Sequence, residues 1–356
     1  MEVKKIDVYQ VNMPLINPYY LSFGDITYFP MILSVVETLD GQKGIGESTA
    51  LPGYSRETLE EMWSFTLDKG QNLPGQPVEN ILERLSPYCE KFPFSAAPII
   101  TALETLAYGA EYNRDNFNQE MLGLINSNDL DEINKEVAQL IEQGFKTLKV
   151  KVGKNVKEDI NKTKYIQEIV SDRVILRIDA NQAYDYEDAE HYVKSINPGN
   201  VELFEQPFGI DKWDDMRRLN EVSPIPLMLD ESIHSEADLE KTIQLRCAQF
   251  VKFKLMKIGS LKRLEKLMKM ALESGLQVVL GNGVAGEIGC YHEALVCKKL
   301  LNNAGEMNGF LKQSNYILEN ILTVTNGKIA VPANFSPEII NEKIKPYVQK
   351  VSNWSL

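Results

Sequence analysis

Five charged residues close short apolar segments of this chain at a nearly constant spacing. Lys151, Asp179, Glu205, Asp230 and Lys254 each end a run of aliphatic or β-branched residues, and the last four are separated by steps of 26, 25 and 24 residues. Each step has the length of one strand, one helix and two loops. A single aspartate at a strand end is more often a turn residue or a helix cap. The recurrence instead predicts five parallel strands that deliver their charged side chains to one rim.

The chemistry follows from the types of these side chains. Three carboxylates, from Asp179, Glu205 and Asp230, would repel one another on one rim unless a cation lay among them. No histidine or cysteine ends any of these strands, and a set of oxygen donors favours Mg²⁺, or Mn²⁺, over zinc. The residues therefore predict a site for a hard divalent cation.

The two lysines flank the carboxylates on opposite sides of the predicted barrel. A lysine that acts as a base must be partly neutral, and a second ammonium nearby, together with the metal, would lower its pKa. Lys149 shares the strand face of Lys151, and Lys257 lies close to Lys254. A metal between two opposed lysines suits removal of the proton α to a carboxylate, with the metal stabilising the enediolate.

A βα rhythm from residue 120 onward predicts the elements that position these residues. Seven or eight such units indicate a closed barrel of parallel strands rather than an open sheet. The predicted strands are Met121–Ile125, Thr147–Lys151, Ile175–Asp179, Val201–Glu205, Leu227–Asp230, Phe250–Lys254, Gln277–Leu280 and a last one near Phe310. The predicted helices include Asp131–Glu142, Glu158–Val170, Tyr186–Ser195, Leu261–Glu273 and Ile288–Leu301.

The N-terminal part has a different pattern. Alternation predicts antiparallel strands over residues 4–11, 31–38 and 43–48, with a hairpin turn at 39–42. Helices follow, one opening at Ser55 and a long one over Ala96–Tyr112. A polar break at 113–119 and a hairpin at 322–332 complete the pattern, and the last segment is expected to return to this part. We thus expect a capping domain (1–118), a barrel (119–315) and a C-terminal segment (316–356).

Two loops of the N-terminal part are candidate lids over the pocket. The first, residues 17–24, is rich in aromatic and small side chains and contains Tyr19 and Phe23. The second, residues 49–54, ends at Tyr54. Loops of this composition often carry ligand contacts, although an ordinary packed loop has the same appearance.

Composition limits the classes of partner. The formal net charge of −12 over 356 residues argues against nucleic acid or an anionic membrane as partner. No segment resembles a signal peptide, and no apolar run approaches the roughly 20 residues of a membrane span, so we expect a cytoplasmic protein. The four cysteines show no metal-binding spacing and are expected to be buried free thiols: Cys89, Cys247, Cys290 and Cys297.

These motifs together resemble the enolase superfamily, and within it the muconate-lactonising subgroup. The matching residues are Lys149 and Lys151 in Lys-x-Lys, Asp179 in Asp-Ala-Asn, Glu205 in Glu-Gln-Pro, Asp230 in Asp-Glu-Ser, and Lys254 in Lys-Phe-Lys-Leu-Met-Lys-Ile-Gly. The resemblance implies a (β/α)7β modified TIM barrel with an N-terminal α+β capping domain, and a homo-oligomer. It also implies that Lys151 and Lys254 are the acid–base pair on a Mg²⁺ site, with Lys149, Asn181 and Glu231 in support.

The resemblance extends to the substrate class. The segment after Lys254 is similar to that of dipeptide epimerases, whose Asp-x-Asp motif on the eighth strand holds the substrate ammonium. Here that place reads Glu306-Met-Asn308, which departs from the motif. The histidine–aspartate dyad of mandelate racemases is missing, and His292 falls in a later helix. The expected substrate contacts are Tyr19, Phe23, Tyr54, Lys257, Asn282 (in the glycine-rich segment 280–286), Glu306 and Asn308.

The predicted function is that of a racemase or epimerase acting α to the carboxylate of an amino-acid derivative or dipeptide. One lysine removes the proton and the other returns it on the opposite face. The same enediolate also serves β-elimination or cycloisomerisation, as in a dehydratase of a hydroxylated amino acid or a succinylbenzoate synthase. A metal-binding homologue without catalysis is the third alternative, which the intact lysine pair disfavours.

Overall fold

The computed structural model describes residues 1–21, 24–51, 55–320 and 322–356. Its N-terminal part contains an antiparallel sheet of four strands in the order β14-β1-β2-β3. The bounds of these strands are β1 Val3–Leu21, β2 Gly24–Thr38, β3 Lys43–Thr49 and β14 Val348–Ser355. The last strand therefore pairs with the first, with Ile6 opposite Trp354.

The first candidate lid is mostly strand rather than loop, which corrects the prediction for residues 17–24. Strand β1 continues to Leu21 and pairs with β2, so that Tyr19 lies opposite Ile26. The register shifts between Pro14 and Tyr19. Aromatic residues have a high strand propensity, and here a partner strand satisfies their backbone groups. Phe23 and Tyr54 lie outside the described residues.

Four helices cover one face of this sheet. They are α1 Leu59–Gly70, α2 Val78–Leu85, α3 Tyr88–Lys91 and α4 Pro93–Tyr112. The first helix begins after Thr58 and not at Ser55, because Thr58 and Glu61 form a reciprocal capping box. The hydroxyl of Ser55 instead donates to the carbonyls of Leu51 and Glu57.

Helix α4 starts three residues earlier than predicted because a distant carboxylate binds its free N–H groups. Glu57 accepts hydrogen bonds from the backbone N–H of Phe94 at 2.9 Å and of Ser95 at 2.8 Å. The helix then runs between the sheet and the barrel, and most of its first twelve residues are fully buried. This position between two layers explains its composition of small and apolar residues.

Close packing of β3 against α4 requires a glycine at position 46. A Cβ on Gly46 would overlap the carbonyl oxygen of Pro98, so we expect Gly46→Ala to lower the free energy of unfolding by about 1–3 kcal/mol or more. Gly109→Ala on the same helix is the control, because nothing lies within 4 Å of its Cβ position. That change should leave stability equal or raise it by about 0.5–1 kcal/mol. Denaturant unfolding compares the two, and equal stabilities would contradict the packing argument.

The second part is a curled sheet of seven parallel strands in sequential order, β5 to β11. Their bounds are Gly123–Ile125, Thr147–Lys151, Ile175–Asp179, Val201–Glu205, Leu227–Leu229, Phe250–Phe253 and Gln277–Leu280. Helices surround it: α5 Leu130–Glu142, α6 Val156–Val170, α7 Tyr186–Ser195, α8 Trp213–Val222, α9 Glu236–Leu245, α10 Leu255–Ile258, α11 Leu261–Glu273 and α12 Glu287–Leu300. The predicted fold class is thus confirmed.

The predicted strand near Phe310 is wrong, since residues Gly309–Lys312 form a 3₁₀ turn. The eighth position is taken by a short bridge in which Gly305 pairs in parallel with Met121. The backbone N–H of Leu122 donates to Gly305, and that of Glu306 donates to Leu280 at the end of β11. Residues 305 and 306 therefore hydrogen-bond toward both edges of the sheet.

The remaining elements join the two parts. A small antiparallel sheet combines β4, just before the barrel, with the predicted hairpin at Asn326-Gly327. These elements are β4 Phe117–Glu120, β12 Thr323–Thr325, β13 Lys328–Val331 and the short helix α13 Asn341–Ile344. The four cysteines are buried and unpaired, as predicted. Within the described ranges, no helix has the length and apolar character needed to cross a bilayer.

Candidate active site

Strand register brings the predicted residues together at the carboxyl ends of the barrel strands. Lys151 on β6 lies opposite Asp179 on β7, which in turn lies opposite Glu205 on β8. Below this rim, the inward side chains Leu203, Met228, Phe250 and Val279 form an apolar cluster. The charged groups therefore lie next to apolar side chains, where electrostatic interactions are stronger than in water.

Lys149 lies at the centre of the carboxylates. Its ammonium is 2.8 Å from Asp179 Oδ2, 2.8 Å from Glu205 Oε2 and 2.9 Å from Glu306 Oε2, and its side chain is 1% exposed. Burial alone would lower the pKa of Lys149, but the three carboxylates outweigh burial and hold the pKa well above its ordinary value. Lys149 is therefore a fixed positive charge rather than a base.

A second buried lysine, Lys252 on β10, was absent from the candidates drawn from the sequence. Its ammonium lies 3.0 Å from Glu205 Oε1 and 3.5 Å from Asp230 Oδ2, and it also contacts Glu306 Oε2. These carboxylates outweigh burial and raise the pKa of Lys252 well above its usual value. The signal was available, because residues two apart share a strand face and Lys252 precedes Lys254 by two.

The two lysines predicted as acid and base lie at opposite ends of the carboxylate row. Lys151 Nζ is 2.5 Å from Asp179 Oδ2, and Lys254 Nζ is 2.6 Å from Asp230 Oδ2. Lys151 is about a third exposed, whereas Lys254 is buried. Between their strands, β6 and β10, lie the three strands that carry the carboxylates. The structure thus places one lysine at each side of a shared centre.

The direction of the pKa of Lys151 differs from the prediction of a lowered value. Burial lowers the pKa of Lys151. The Asp179 carboxylate beside the ammonium, together with the other negative groups nearby, outweighs burial and raises that pKa. A lowered pKa is found instead at Lys257, where burial and the charge of Lys254 outweigh Asp230 and bring the value to about 8. Lys257 Nζ donates to the Asp230 carbonyl at 3.0 Å.

Two loops hold the rim residues in place. Asn181 has a left-handed φ of 42°, accepts from Lys151 at 2.5 Å and donates to Glu231 Oε1 at 2.9 Å. Gln206, with a φ of 38°, donates to Ser232 and accepts from the backbone N–H of Asp230 at 3.0 Å. The sequence indicated no role for Gln206. The structure shows that this side chain connects β8 to the loop after β9.

Two of the three carboxylates, Asp179 and Glu205, differ in acidity. Burial would raise the pKa of Asp179, but Lys149, Lys151 and Lys252 lower it to about 2. Burial and the nearby charge of Asp179 raise the pKa of Glu205 to about 7, against the effect of Lys149 and Lys252. Positive charge beyond that of the lysines would therefore stabilise the ionised form of Glu205.

The donor set fits a divalent cation by its chemistry. Asp179, Glu205 and Asp230 are buried on adjacent strands, and an ammonium bridges each neighbouring pair of them. Lys149 lies 2.8 Å from both Asp179 and Glu205, and Lys252 lies 3.0 Å from Glu205 and 3.5 Å from Asp230. As the described side chains stand, no three acidic, histidine or cysteine groups are close enough to hold a metal ion. Each carboxylate faces an ammonium instead. Metal binding would therefore require lysine side chains to move away from the carboxylate oxygens.

The predicted substrate contacts fall into different places. Glu306 faces Lys149 and Lys252, and Asn308 Oδ1 accepts from Lys312 at 3.1 Å. Asn282 bonds within its own loop, accepting from the N–H of Val284 at 3.0 Å. His292 is buried in α12, where burial lowers its pKa to about 3.

Comparison with known proteins identifies the family. Residues 132–335 match the family model described as enolase C-terminal domain-like. This match spans more than half of the chain, so the chain belongs to that family. The predicted resemblance to the enolase superfamily is confirmed, and the chain is an enzyme of that superfamily.

Its relatives by sequence include racemases and epimerases. N-succinyl-L-Arg/Lys racemase of Bacillus cereus is 27% identical over 333 residues, which cover 88% of each chain. L-Ala-D/L-Glu epimerase of Clostridium acetobutylicum is 26% identical over 306 residues, covering 81% of this chain and 84% of the relative. Both relatives are isomerases, the enzyme class predicted from the sequence.

Solved structures agree with the fold. The crystal structure of the Bacillus cereus racemase superposes with a TM-score of 0.88 at 25% identity, covering 99% of this chain and 100% of that one. The dipeptide epimerase from Cytophaga hutchinsonii, solved with Mg and the dipeptide D-Ala-L-Val, gives a TM-score of 0.88 at 19% identity. It covers 99% of this chain and 100% of that one, and at this identity it supports the fold alone.

Proposed function

We propose that the protein racemises or epimerises the carbon α to the carboxylate of an N-substituted amino acid. The observation that carries the proposal is the placement of Lys151 and Lys254 at opposite ends of one carboxylate row. Two bases on opposite sides of a bound α-carbon permit removal of its proton on one face and its return on the other. The racemases and epimerases among the relatives support this class of reaction.

The roles of the other residues follow from their surroundings. Lys149 and Lys252 are buried among carboxylates and stay protonated, so they stabilise negative charge without exchanging protons. Asn181 accepts from Lys151 and fixes the direction of its ammonium. Lys257 donates to Asp230, the carboxylate that also pairs with Lys254, and so helps to hold that carboxylate in place.

Asp179, Glu205 and Asp230 would hold a divalent cation, for which Mg²⁺ suits the oxygen donors. Bound there, it would stabilise the charge that develops on the substrate carboxylate when the α-proton leaves. Asp179 raises the pKa of Lys151, and the same carboxylate would also bind the cation. The cation would then offset the negative charge of Asp179 and favour the neutral amine that a base requires.

Proton NMR in D₂O tests the proposal directly. With Mg²⁺ present, Nα-acyl amino acids and dipeptides should lose their α-proton signal without forming a new compound, while optical rotation decays toward that of the epimeric mixture. A new olefinic or keto product would instead assign elimination or cycloisomerisation from the same enediolate. No exchange in any of these compounds would refute the proposal.

Removal of divalent cations is expected to stop the exchange. We predict a loss of at least about 100-fold after chelation, because a cation held by Asp179, Glu205 and Asp230 would lower the barrier to α-proton removal by several kcal/mol. Mg²⁺ or Mn²⁺ should restore the rate, with metal content measured by elemental analysis at each step. Full activity in a preparation shown to contain less than one equivalent per hundred chains would contradict the metal role.

A further inference from the structure

We propose that two buried carboxylates outside the rim, those of Asp159 and Glu293, are positioning residues that each hold one of the two acid–base lysines. This inference rests on the proposed function and adds two residues to its machinery. Asp159 lies on α6 and accepts from backbone N–H groups two to four residues beyond Lys151. Glu293 lies on α12 and accepts from the backbone N–H of the residue directly after Lys254.

Asp159 holds the loop that follows Lys151. Its Oδ2 accepts hydrogen bonds of 2.8–3.2 Å from three successive backbone N–H groups, those of Gly153, Lys154 and Asn155. The residue is only 5% exposed, and hydrogen bonds from N–H groups to a carboxylate are among the strong ones. From the same helix, Lys162 Nζ donates to the carbonyl of Lys151 at 2.8 Å. Helix α6 therefore fixes the backbone at Lys151 and beyond it.

The same carboxylate also binds the neighbouring loop. The phenol of Tyr184, in the loop after β7, donates to Asp159 Oδ2 at 2.9 Å. That loop contains Asn181, whose side-chain oxygen accepts from the Lys151 ammonium at 2.5 Å. Asp159 thus connects the backbone that carries the lysine with the loop that directs its ammonium.

Glu293 has the corresponding position at Lys254. The short helix α10 begins directly after this lysine, so the N–H of Leu255 has no carbonyl acceptor within the helix. Glu293 Oε1 accepts from that N–H at 2.9 Å, and the residue is 1% exposed. A buried N–H group must find an acceptor. Glu293 therefore holds the start of α10, and with it Lys254, against α12.

Glu293 is suited to holding the backbone rather than to supplying charge. Burial raises its pKa to about 8, although the N–H of Leu255 and the ammoniums of Lys254 and Lys252 act in the opposite direction. Among the described residues, Glu293 Oε2 has no hydrogen-bond partner. An amide side chain of the same shape would therefore offer Leu255 an equivalent acceptor.

Proton exchange of the two pure enantiomers of an N-acyl amino acid, with Mg²⁺ present, tests the inference. Glu293→Met should slow exchange of one enantiomer about tenfold or more, and Asp159→Ala should slow exchange of the other. The reason is that displacement of a reacting group by about 1 Å can cost about 100-fold in rate. The enantiomer affected by Glu293→Met should be the one affected by Lys254→Ala, and Asp159→Ala should in the same way resemble Lys151→Ala.

Amide variants separate positioning from an effect of charge. Glu293→Gln and Asp159→Asn keep an oxygen acceptor and should retain most of the rate with both enantiomers. Glu287→Met is the matched control, because Glu287 is also a buried carboxylate that accepts from a backbone N–H, that of Ile317 at 3.2 Å. It should leave the ratio of the two rates unchanged. A loss in the amide variants as large as in Glu293→Met and Asp159→Ala, or equal losses with both enantiomers, would overturn the inference.

A milder change tests the role of Asp159 if Asp159→Ala does not fold. Tyr184→Phe removes one donor to Asp159 and loosens the loop of Asn181. It should slow exchange of the enantiomer that Lys151 serves about two- to fivefold, the effect expected for one lost hydrogen bond. Wild-type rates with both enantiomers would overturn the role of Asp159.

Crystal structures of the variants decide the inference even if no compound is exchanged. In Glu293→Met, the Lys254 ammonium should leave its 2.6 Å contact with Asp230, while Lys151 stays in place. In Asp159→Ala, Lys151 should move and Lys254 should not. Unmoved lysines in both variants would overturn the inference and leave the proposed function intact, whereas a wild type that exchanges no compound would refute the proposed function alone.

Discussion

Replacing either Lys151 or Lys254 by alanine is expected to slow racemisation about 10²–10⁴-fold, the range typical for loss of a general acid or base. The two variants should differ in the proton exchange that they retain. Because each lysine lies at its own end of the carboxylate row, each variant should still exchange the α-proton of the enantiomer that the other lysine serves. The two variants should therefore retain exchange of opposite enantiomers.

The measurement is deuterium incorporation into each pure enantiomer, followed by chiral chromatography of the recovered substrate. Thermal unfolding of both variants checks that the fold is retained. Lys135→Ala is the control, since Lys135 pairs with Glu132 on the exposed face of α5 and should leave both rates unchanged. Racemisation at the wild-type rate by either lysine variant would refute the two-base arrangement.

The largest effect on stability is expected from Lys252→Met. This change removes a buried ammonium from Glu205, Asp230 and Glu306 and leaves these buried carboxylates with one positive charge fewer. Breaking a buried ion pair from one side typically costs about 3–5 kcal/mol. We therefore expect a loss of that order in the free energy of unfolding when a chelator is present.

The deficit should shrink when Mg²⁺ is added, because a cation that binds the folded state stabilises it and the freed carboxylates attract one more strongly. Denaturant unfolding with chelator and with excess Mg²⁺ provides the comparison. Lys135→Met, at an exposed pair, should change stability by no more than about 0.5 kcal/mol. If Lys252→Met unfolds like the wild type in both conditions, the proposed charge balance of the rim is incorrect.

The barrel was predictable because buried parallel strands have a simple pattern in sequence. Strands such as Ile175–Asp179 and Val201–Glu205 have the bounds predicted for them, since an apolar run that ends in a charge marks both the strand and its rim residue. The predicted site residues that the structure brings together come from these strand ends. Local pattern and tertiary position agree there.

The errors occur where contacts with another segment decide the local structure. Strand β1 extends to Leu21 because β2 pairs with it, and α4 begins at Pro93 because Glu57 binds its first N–H groups. The eighth position is a bridge formed where Gly281 allows the backbone of Glu306 to approach closely. The partners of α4 and of Glu306 lie far from them in sequence, so periodicity could not indicate them.

Two lysines, Lys252 and Lys312, were not among the residues predicted from the sequence, and they differ in how far spacing could have indicated them. The position of Lys252 could have been predicted as that of Lys149 was, because each precedes a rim lysine by two residues and therefore shares its face of the strand. Lys312 was not, because its position depends on the 3₁₀ turn and on the loop at Gly283. Contacts formed by regular strands can be inferred from spacing, whereas contacts formed by turns require coordinates.

The pairing of β14 with β1 has a consequence for the order of folding. Lys5 and Ser355 are opposite each other, so two neighbouring strands of one sheet are separated in the chain by the whole barrel. Contacts of such long sequence separation form slowly, because the intervening chain must be ordered first. During synthesis, the barrel strands become available before this sheet can acquire its edge strand. Until then β1 exposes an unpaired edge, and a chaperone that shields it would favour correct assembly.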